Sequence, residues 1–233
     1  MKELLIICNG GSLRNFDFKT IDRDKYDVMT LGLAYRYFHK INFNFEYYLC
    51  VDNVVLKHNE WEICRMFKRN LLNKGMISAM AHFSVESLNK LKRHQGKVDI
   101  LENVKKNEQH PLARVKKWTS GSCAILYGIG LGYKKIKIIG LDNDYTMIDN
   151  YMEREDGTLE VNEEIINNPN YFFDEYQREG DVLNKPNKVP NLHTDAIIEA
   201  LNIAQQEKVN IYNYNDKPSF RDHIKTSPYK SFK

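Results

Sequence analysis

The first eight residues constrain the fold more than any other part of the chain. Residues 4–8 read Leu-Leu-Ile-Ile-Cys, a continuous apolar run that ends at a turn signal, Asn9-Gly10-Gly11. A strand that is apolar at every position is buried on both faces, which is typical of a parallel sheet covered by helices on both sides. The run is too short for a signal peptide or a membrane span, so we interpret it as a core strand.

The same pattern recurs along the chain and alternates with helical periodicity. Apolar runs predict further strands over 26–31, 47–51, 76–80, 136–140 and 209–212, and helical spacing predicts helices over 59–72, 84–94, 120–131 and 193–206. Strands that alternate with helices predict an α/β fold with a doubly wound, mostly parallel sheet. Because no linker rich in Pro, Gly or Ser divides the chain, we expect a single Rossmann-like domain over residues 1–233.

Two segments fall outside this alternation. Residues 102–118 are basic and weakly patterned, whereas residues 143–192 are polar and rich in Asn, Glu and Tyr. The second segment is too long for an ordinary loop, and long insertions at the carboxyl edge of a parallel sheet often carry function. We therefore expect residues 143–192 to form a lid over a ligand site.

Composition excludes several classes of function. Lys and Arg number 34 against 31 Asp and Glu, a net charge of +3 that does not favour a nucleic-acid partner. The cysteines form no CxxC pair, so we expect reduced thiols in a cytoplasmic protein and no zinc site; they are Cys8, Cys50, Cys64 and Cys123. The tail from Lys217 to Lys233 carries five basic residues and one acid. It is typical of a frayed terminus, and the alternative is peripheral contact with an anionic membrane.

The glycine-rich turn after the first strand is the strongest candidate for a ligand site. Residues 9–13 read Asn-Gly-Gly-Ser-Leu, and glycines let the backbone turn sharply and approach a ligand closely. Successive N–H groups in such a turn can bind phosphate, although a purely structural turn explains the residues equally well. The turn is neither GxGxxG nor a Walker loop, so neither of those nucleotide motifs is predicted.

A second candidate opens the helix predicted over 120–131. Thr119 or Ser120 can cap this helix, and the free N–H groups that follow, including that of Gly121, would attract an anion. Capping alone explains these residues. Placed beside the Asn9 turn in one parallel sheet, however, they would form a second wall of a nucleotide site.

Acidic and imidazole side chains supply the remaining candidates. Asp142 and Asp144 follow the strand at 136–140 as a DxD, a spacing with which carboxylates hold Mn²⁺ or Mg²⁺ against a diphosphate. This spacing also arises by chance, so metal binding is the minority interpretation. His193 begins the last long helix, and its pKa suits general-base chemistry, although a lone histidine there is more often structural. Asp195 can orient the imidazole or interact with the helix dipole.

Taken in order, these residues resemble the bacterial lipooligosaccharide sialyltransferases of glycosyltransferase family 42 and related surface-glycan enzymes. The family's turn Asn-Gly-Pro-Ser-Leu is similar to residues 9–13, and its helix start Thr-Ser-Gly is similar to residues 119–121. Its stretch Ala-Leu-Gly-Tyr-Lys-Glu-Ile is similar to residues 130–136, and its strand end Gly-Ile-Asp to residues 140–142. Its final Thr-Asp and a later Ala-Leu are similar to residues 194–195 and 200–201. The likeness is collinear over most of the chain and weak over residues 53–115.

The resemblance implies a Rossmann-like sheet with a lid that binds CMP-sialic acid, or a related CMP-sugar, without a metal cofactor. It implies that His193 is the general base on the acceptor hydroxyl and that Tyr145 and Tyr151 stabilise the departing phosphate. The nucleotide-binding residues would be Asn9, Gly10, Gly11, Ser12, Asn53, Lys117, Thr119, Ser120, Gly121 and Asp142. A glycan or glycolipid acceptor and a homo-oligomer are also implied.

The chain departs from the family's pattern at four places. Gly11 replaces a proline, Gly32-Leu33 lies near an absent Asn-Gln pair, and His193 falls about three residues late. Lys117 replaces an arginine, which keeps the charge but loses bidentate geometry. Two alternatives stay open: a metal-dependent transferase for nucleoside-diphosphate sugars that uses Asp142 and Asp144, and a non-catalytic nucleotide-binding subunit of a glycan assembly complex.

Overall fold

A parallel sheet of eight strands forms the centre of the molecule. The computed structural model describes residues 2–68, 74–78, 89, 98–185, 191–215, 226–228 and 232. In spatial order the strands are β11 (Thr226–Ser227), β10 (Asn210–Tyr214), β6 (Lys135–Ile139), β1 (Glu3–Ile7), β2 (Tyr26–Leu31), β3 (Tyr47–Cys50), β4 (Lys74–Ile77) and β5 (Val98–Ile100). Each pairing in this sheet is parallel among the described residues, so the carboxyl ends of the strands share one edge.

The chain changes direction across the sheet between β1 and β6. β1 pairs with β2 on one side, with Ile7 opposite Thr30, and with β6 on the other, with Ile7 opposite Ile139. The strands from β2 to β5 therefore extend one way from β1, and β6, β10 and β11 extend the other way. Ligands of open α/β sheets bind in the crevice at such a topological switch point.

Helices cover both faces of the sheet, which explains the continuous apolar run in β1. They are α1 (Tyr35–Lys40), α2 (Asn53–His58), α3 (Glu60–Lys68), α4 (Leu101–Val104), α5 (Ser120–Gly130) and α6 (Leu192–Gln206). Leu4 and Ile6 pack in the cluster that contains residues of α5 and α6. Leu5 and Ile7 point to the opposite face and pack in an aromatic-rich cluster with α1 and α3. The predicted α/β fold with a doubly wound, parallel sheet is confirmed.

Several element boundaries differ from the predicted ones. The helix predicted over 59–72 corresponds to α3, which begins at Glu60, and residues 69–72 lie outside the described part. The preceding helix α2 was not predicted; it begins at Asn53, where the Asp52 side chain accepts hydrogen bonds from Val54 N and Val55 N. The strand predicted over 76–80 begins at Lys74, and the edge strand β5 was not predicted. The helix predicted over 84–94 lies outside the described residues apart from residue 89.

The predicted lid segment contains a small sheet of its own. Within residues 143–192, the strands β7 (Tyr151–Glu153), β8 (Leu159–Val161) and β9 (Val182–Leu183) pair in antiparallel fashion around a minor apolar cluster. This segment lies at the carboxyl edge of the main sheet, as expected from the sequence. In the part of the chain that the structure describes, no helix is both long and apolar enough to cross a membrane.

Part of the basic tail packs against the main sheet. β11 pairs with β10, and the buried ring of Phe232 stacks on Tyr26 with centroids 5.6 Å apart. The Lys137 ammonium lies 4.9 Å from the centroid of Tyr26 and 5.6 Å from that of Phe232. A frayed terminus is therefore the wrong description of these tail residues. The basic residues of the tail lie outside the described part, and membrane contact stays a prediction.

Candidate functional site

A cavity of about 460 Å³ opens at the carboxyl edge of the sheet, next to the switch point. Its wall is built by the turns after β1, β2, β3 and β6, the N-terminal ends of α2, α5 and α6, and the 143–192 segment. The residues predicted from the sequence that line it are Asn9, Gly10, Asn53, Thr119, Ser120, Gly121, Asp142, Tyr145 and His193, together with Asp144 of the metal alternative. The fold thus brings together candidates from five separate stretches of the chain.

Asp142 fastens the glycine-rich turn to the end of β6. Its Oδ2 accepts from Ser12 N at 2.8 Å, and its Oδ1 accepts from Ser12 Oγ at 2.5 Å and Asn215 Nδ2 at 3.1 Å. A Cβ on Gly10 would lie 2.4 Å from Asp142 Cγ, so only glycine permits this approach. These contacts make the buried Asp142 carboxylate an anchor for the turn that forms the floor of the cavity.

Gly11 and Ser12 do not line the cavity. Gly11 lies beneath the 143–192 segment, where an added Cβ would stand 2.3 Å from the carbonyl oxygen of Pro169. A proline at position 11, as in the resembled family, carries a Cβ and does not fit this packing. The close packing of the 143–192 segment on this turn therefore explains why position 11 is glycine where the resembled family has proline.

Two asparagines of the cavity wall have unused hydrogen-bonding capacity. Asn9 Nδ2 donates to Tyr176 Oη at 2.7 Å, but Asn9 Oδ1 is buried without a partner among the described residues. Asn53 Oδ1, at the start of α2, is also buried and has no partner in the part of the chain described. Buried polar atoms in folded proteins are normally satisfied, so both oxygens are candidates to accept a hydrogen bond from a ligand or water.

The N-terminal ends of three helices meet at the cavity. α5 is 11 residues long, and its first turn is closed by a capping box in which Thr119 N donates to Ser122 Oγ at 2.8 Å. The backbone N–H groups of Ser120 and Gly121 have no acceptor within the helix. The first residues of α2 and α6, Asn53 and Leu192, line the same cavity. Helix N-termini carry partial positive charge, so this arrangement favours an anionic ligand.

Tyr145 and His193 lie side by side on the cavity wall, with ring centroids 5.5 Å apart. Desolvation lowers the pKa of His193 below its ordinary value and raises the pKa of Tyr145 above its own, although 39% of Tyr145 is exposed and its shift is correspondingly limited. At neutral pH the imidazole is therefore an uncharged base and the phenol a hydrogen-bond donor. The carboxylate of Asp195, which the sequence offered as a partner for the imidazole, pairs instead with Lys117 through Oδ2 and Nζ at 2.5 Å.

Two further predicted residues lie outside the cavity wall. Lys117 is exposed and pairs with Asp195, whose hydrogen bond and negative charge raise the pKa of the Lys117 ammonium. Tyr151 begins β7, and its Oη donates to Gln177 Oε1 at 2.7 Å. Gln177 itself lines the cavity, so Tyr151 is connected to the site through this amide.

The sequence prediction missed two tyrosines of the cavity wall. The rings of Tyr171 and Tyr176 stack with centroids 3.9 Å apart and planes 10° apart. Tyr176 Oη accepts from Asn9 Nδ2 and also from Leu33 N at 3.3 Å, so it joins the ends of β1 and β2. The richness of the 143–192 segment in Tyr and Asn indicated a binding segment, but it did not indicate which tyrosines face the cavity.

Among the described residues, Asp142 and Asp144 do not belong to a cluster of three or more His, Cys, Asp or Glu side chains that could bind a metal ion. The oxygens of Asp142 are engaged by Ser12 and Asn215, which favours the anchoring role over metal coordination. Asp144 lies beside it on the cavity wall.

Comparison with known proteins identifies the fold. No family model matches the chain, and no curated protein matches it significantly in sequence. The structure of the Campylobacter jejuni sialyltransferase CstII with the substrate analogue CMP-3FNeuAc matches with a TM-score of 0.59 and 18% identity, over 98% of this chain and 87% of that one. A structure of CST-II with CMP gives 0.60 and 16% over 98% and 87%, and one with a trisaccharide acceptor and CMP gives 0.54 and 18% over 97% and 86%. Over nearly its whole length, the chain therefore has the fold of the sialyltransferase CstII.

Proposed function

We propose that the chain is a glycosyltransferase that transfers sialic acid, or a related ulosonic acid, from a CMP-sugar to a glycan acceptor. The observation that carries this proposal is the pair of Tyr145 and His193 on the wall of a cavity at the switch point. The fold supports it, because the matching CstII structures contain CMP, a CMP-sugar analogue and an acceptor.

The donor nucleotide would occupy the part of the cavity next to β1 and β3. The unpartnered Oδ1 atoms of Asn9 and Asn53 would accept hydrogen bonds from hydroxyl or amino groups of the cytidine. The free N–H groups of Ser120 and Gly121 would bind the phosphate at the start of α5. Among the described residues of the wall, Lys185 is the one fixed cation, and it pairs with Glu153 at 2.8 Å. Phosphate binding would thus depend on helix dipoles and neutral donors.

The chemical step would be an inverting direct displacement. The acceptor hydroxyl oxygen bonds to the anomeric carbon of the sialic acid while the bond from that carbon to the CMP phosphate oxygen breaks. His193 takes the hydroxyl proton, and Tyr145 donates a hydrogen bond to the departing phosphate. Tyr151 would join Tyr145 only after releasing Gln177, which requires a shift of the 143–192 segment on donor binding.

We propose that no metal takes part. CMP leaves as a phosphate monoester, and the additional charge that develops on it is within reach of one helix N-terminus and a tyrosine hydroxyl. The engagement of Asp142 by Ser12 and Asn215 supports this proposal. The acceptor class that the resemblance implies is a cell-surface glycan or glycolipid, modified by an oligomeric enzyme at the cytoplasmic face of the membrane.

A transfer assay with purified protein tests the function. The protein is incubated with CMP-sialic acid and a fluorescent lactoside, and sialylated product is measured by mass. His193→Ala should lose transfer roughly 10²- to 10⁴-fold, because a general base is removed, and should keep its affinity for CMP. The matched control is His58→Ala, which removes an exposed histidine away from the cavity. Full turnover in His193→Ala excludes the proposed base, and a protein that neither binds CMP nor transfers sialic acid contradicts the function.

A further inference from the structure

We infer that Trp118 forms the acceptor subsite, where its indole ring stacks against a pyranose ring of the acceptor glycan. This inference rests on the proposed function and deepens it, since it assigns a residue to the acceptor side of the cavity.

The indole of Trp118 has one covered face and one available face. Lys105 Nζ lies 3.4 Å from the ring centroid, and Lys105 is not part of the cavity wall, whereas Trp118 is. Because Trp118 lines the cavity and Lys105 does not, we place the face opposite Lys105 on the cavity side, and 38% of the residue is exposed. Aromatic side chains commonly line ligand pockets. A ligand that covers an exposed indole face on a cavity wall gains free energy, because the burial of aromatic surface is favourable.

Trp118 is held at the end of the cavity that carries the proposed base. The backbone N–H groups of Lys116 and Lys117 donate to Glu199 Oε2 at 3.1 and 3.4 Å, and Lys117 Nζ pairs with Asp195. Both acids belong to α6, the helix that carries His193 in its first turn. The segment before α5 is thus fixed to the helix of the residue that would take the acceptor proton.

The candidates for binding the nucleoside lie further from α6, beyond the N–H groups of Ser120 and Gly121 that would bind the phosphate. Asn9 follows β1, and Asn53 follows β3, two strands further from β6 and α6. A sugar in contact with Trp118 would therefore be on the acceptor side, opposite the nucleoside. A pyranose ring presents ring hydrogens on its face, which forms an apolar surface of about the size of an indole, and keeps most of its hydroxyls at the ring edge. The edge hydroxyls would then face His193.

The chain offers a direct spectroscopic test, because Trp61 and Trp118 are its two tryptophans. Trp61 lies on α3, away from the cavity wall, so Trp61→Phe leaves Trp118 as the sole indole. Titration of this variant with lactose in the presence of CMP should give a saturable change in tryptophan emission. The matched control Trp118→Phe, which reports from Trp61, should give none.

Kinetics supply the second measurement. Trp118→Ala should raise the acceptor KM roughly 3- to 10-fold, the range of an aromatic stacking contact, with CMP affinity and donor hydrolysis unchanged. Trp118→Phe keeps an aromatic ring and should recover most of the loss, and melting curves of both variants report whether the fold is kept. Emission of Trp61→Phe that does not respond to lactose, or an unchanged acceptor KM in Trp118→Ala, overturns the inference. Absence of CMP binding overturns the proposed function instead, and the lactose titration still reports on Trp118 by itself.

Discussion

His193 and Tyr145 are neighbours whose pKa values are shifted in opposite directions. Desolvation disfavours the charged form of each group, so it lowers the pKa of the imidazole and raises the pKa of the phenol. Between these two values both groups are neutral, one as a base and the other as a donor. When the pKa values of two neighbouring groups are moved apart in this way, one group can act as the base and the other as the hydrogen-bond donor within one site.

The pH dependence of transfer should reflect the lowered pKa of His193. The reaction needs the neutral imidazole, so kcat/KM should be constant near neutral pH and fall as pH decreases through a value below about 6.5, the ordinary histidine pKa. The same sign holds for stability: the folded state binds fewer protons than the unfolded chain, so stability present above pH 6.5 is lost as pH falls. An acidic limb centred at or above pH 6.5 contradicts the assignment of His193 as the base.

Tyr145 and Tyr151 are the two candidates for donating a hydrogen bond to the departing phosphate, and their substitution should lower kcat to different extents. Tyr145→Phe removes a hydroxyl on the cavity wall and should lower kcat roughly 10²- to 10³-fold, as the loss of one transition-state donor does. Tyr151→Phe, the matched control, removes a hydroxyl that is bound to Gln177, and its effect on kcat should be smaller unless the segment rearranges. Equal losses in steady-state rates would show that donor binding releases Tyr151 from Gln177.

At the scale of elements, Arg36 connects α1 to the segment that covers the cavity. Its buried guanidinium donates to Asp181 at 2.5 and 3.0 Å, to Glu62 at 3.0 Å, to Asn59 at 2.6 Å and to the Tyr176 carbonyl at 3.0 Å. Tyr176 and Asp181 both line the cavity. Arg36, in the helix after β2, therefore bonds both ends of this part of the wall, alongside the Tyr176 contacts with Asn9 and Leu33.

Removal of Arg36 should be costly. Arg36→Ala leaves Asp181 largely buried without its counter-charge and should reduce the free energy of unfolding by about 3–5 kcal/mol. Arg36→Lys should recover little, because an ammonium cannot reproduce the planar set of donors. The control Arg65→Ala changes an exposed arginine of α3, and chemical denaturation compares the three variants. A loss below about 1 kcal/mol in Arg36→Ala shows that the segment is fixed by other contacts.

The elements that the sequence predicted well are those whose pattern is set by burial. β1 is buried on both faces, so its apolar run was sufficient to identify it. β5 was missed because it is a three-residue edge strand with a polar centre, Val98-Asp99-Ile100, and carries too few residues for periodicity. The start of α2 was missed because the β-branched Val54 and Val55 disfavour a helix, and the Asp52 cap overrides this propensity.

The sequence could predict those site residues that come directly after a strand of the parallel sheet. Asn9 and Asp142 directly follow β1 and β6, and parallel strands place their carboxyl ends at one edge. Tyr171, Tyr176 and Trp118 reach the cavity through the packing of the 143–192 segment and of the residues before α5. That packing depends on long-range contacts, such as those of Arg36, which no local pattern encodes.

At the scale of the whole molecule, the cavity would bind an anionic ligand without a large excess of positive charge on the protein. The chain carries only +3, and no arginine lines the cavity among the described residues. Three helix N-termini instead converge on a wall that includes four aspartates, two of which are bonded to Ser12 and Arg36. This arrangement suits a ligand with a single phosphate and many hydroxyls, because each additional phosphate charge would face carboxylates, and Lys185, the one lysine among the described wall residues, already pairs with Glu153.

This charge pattern predicts which nucleotide stabilises the protein and whether a metal is needed. CMP at about 100 times its Kd should add about 2.7 kcal/mol to the free energy of unfolding, a rise in Tm of roughly 5–10 °C for a chain of this size. Thermal-shift titrations with CMP, CDP, UDP and GDP, each with Mn²⁺ and with EDTA, measure this. EDTA should leave the CMP shift intact, and Asp144→Asn should leave it unchanged, since Asp144 would have no metal to hold. A shift that requires Mn²⁺ and a nucleoside diphosphate, and that Asp144→Asn abolishes, would instead place a metal at Asp142 and Asp144 and exclude the CMP donor, because a phosphate with more charge is bound only when a cation offsets the carboxylates.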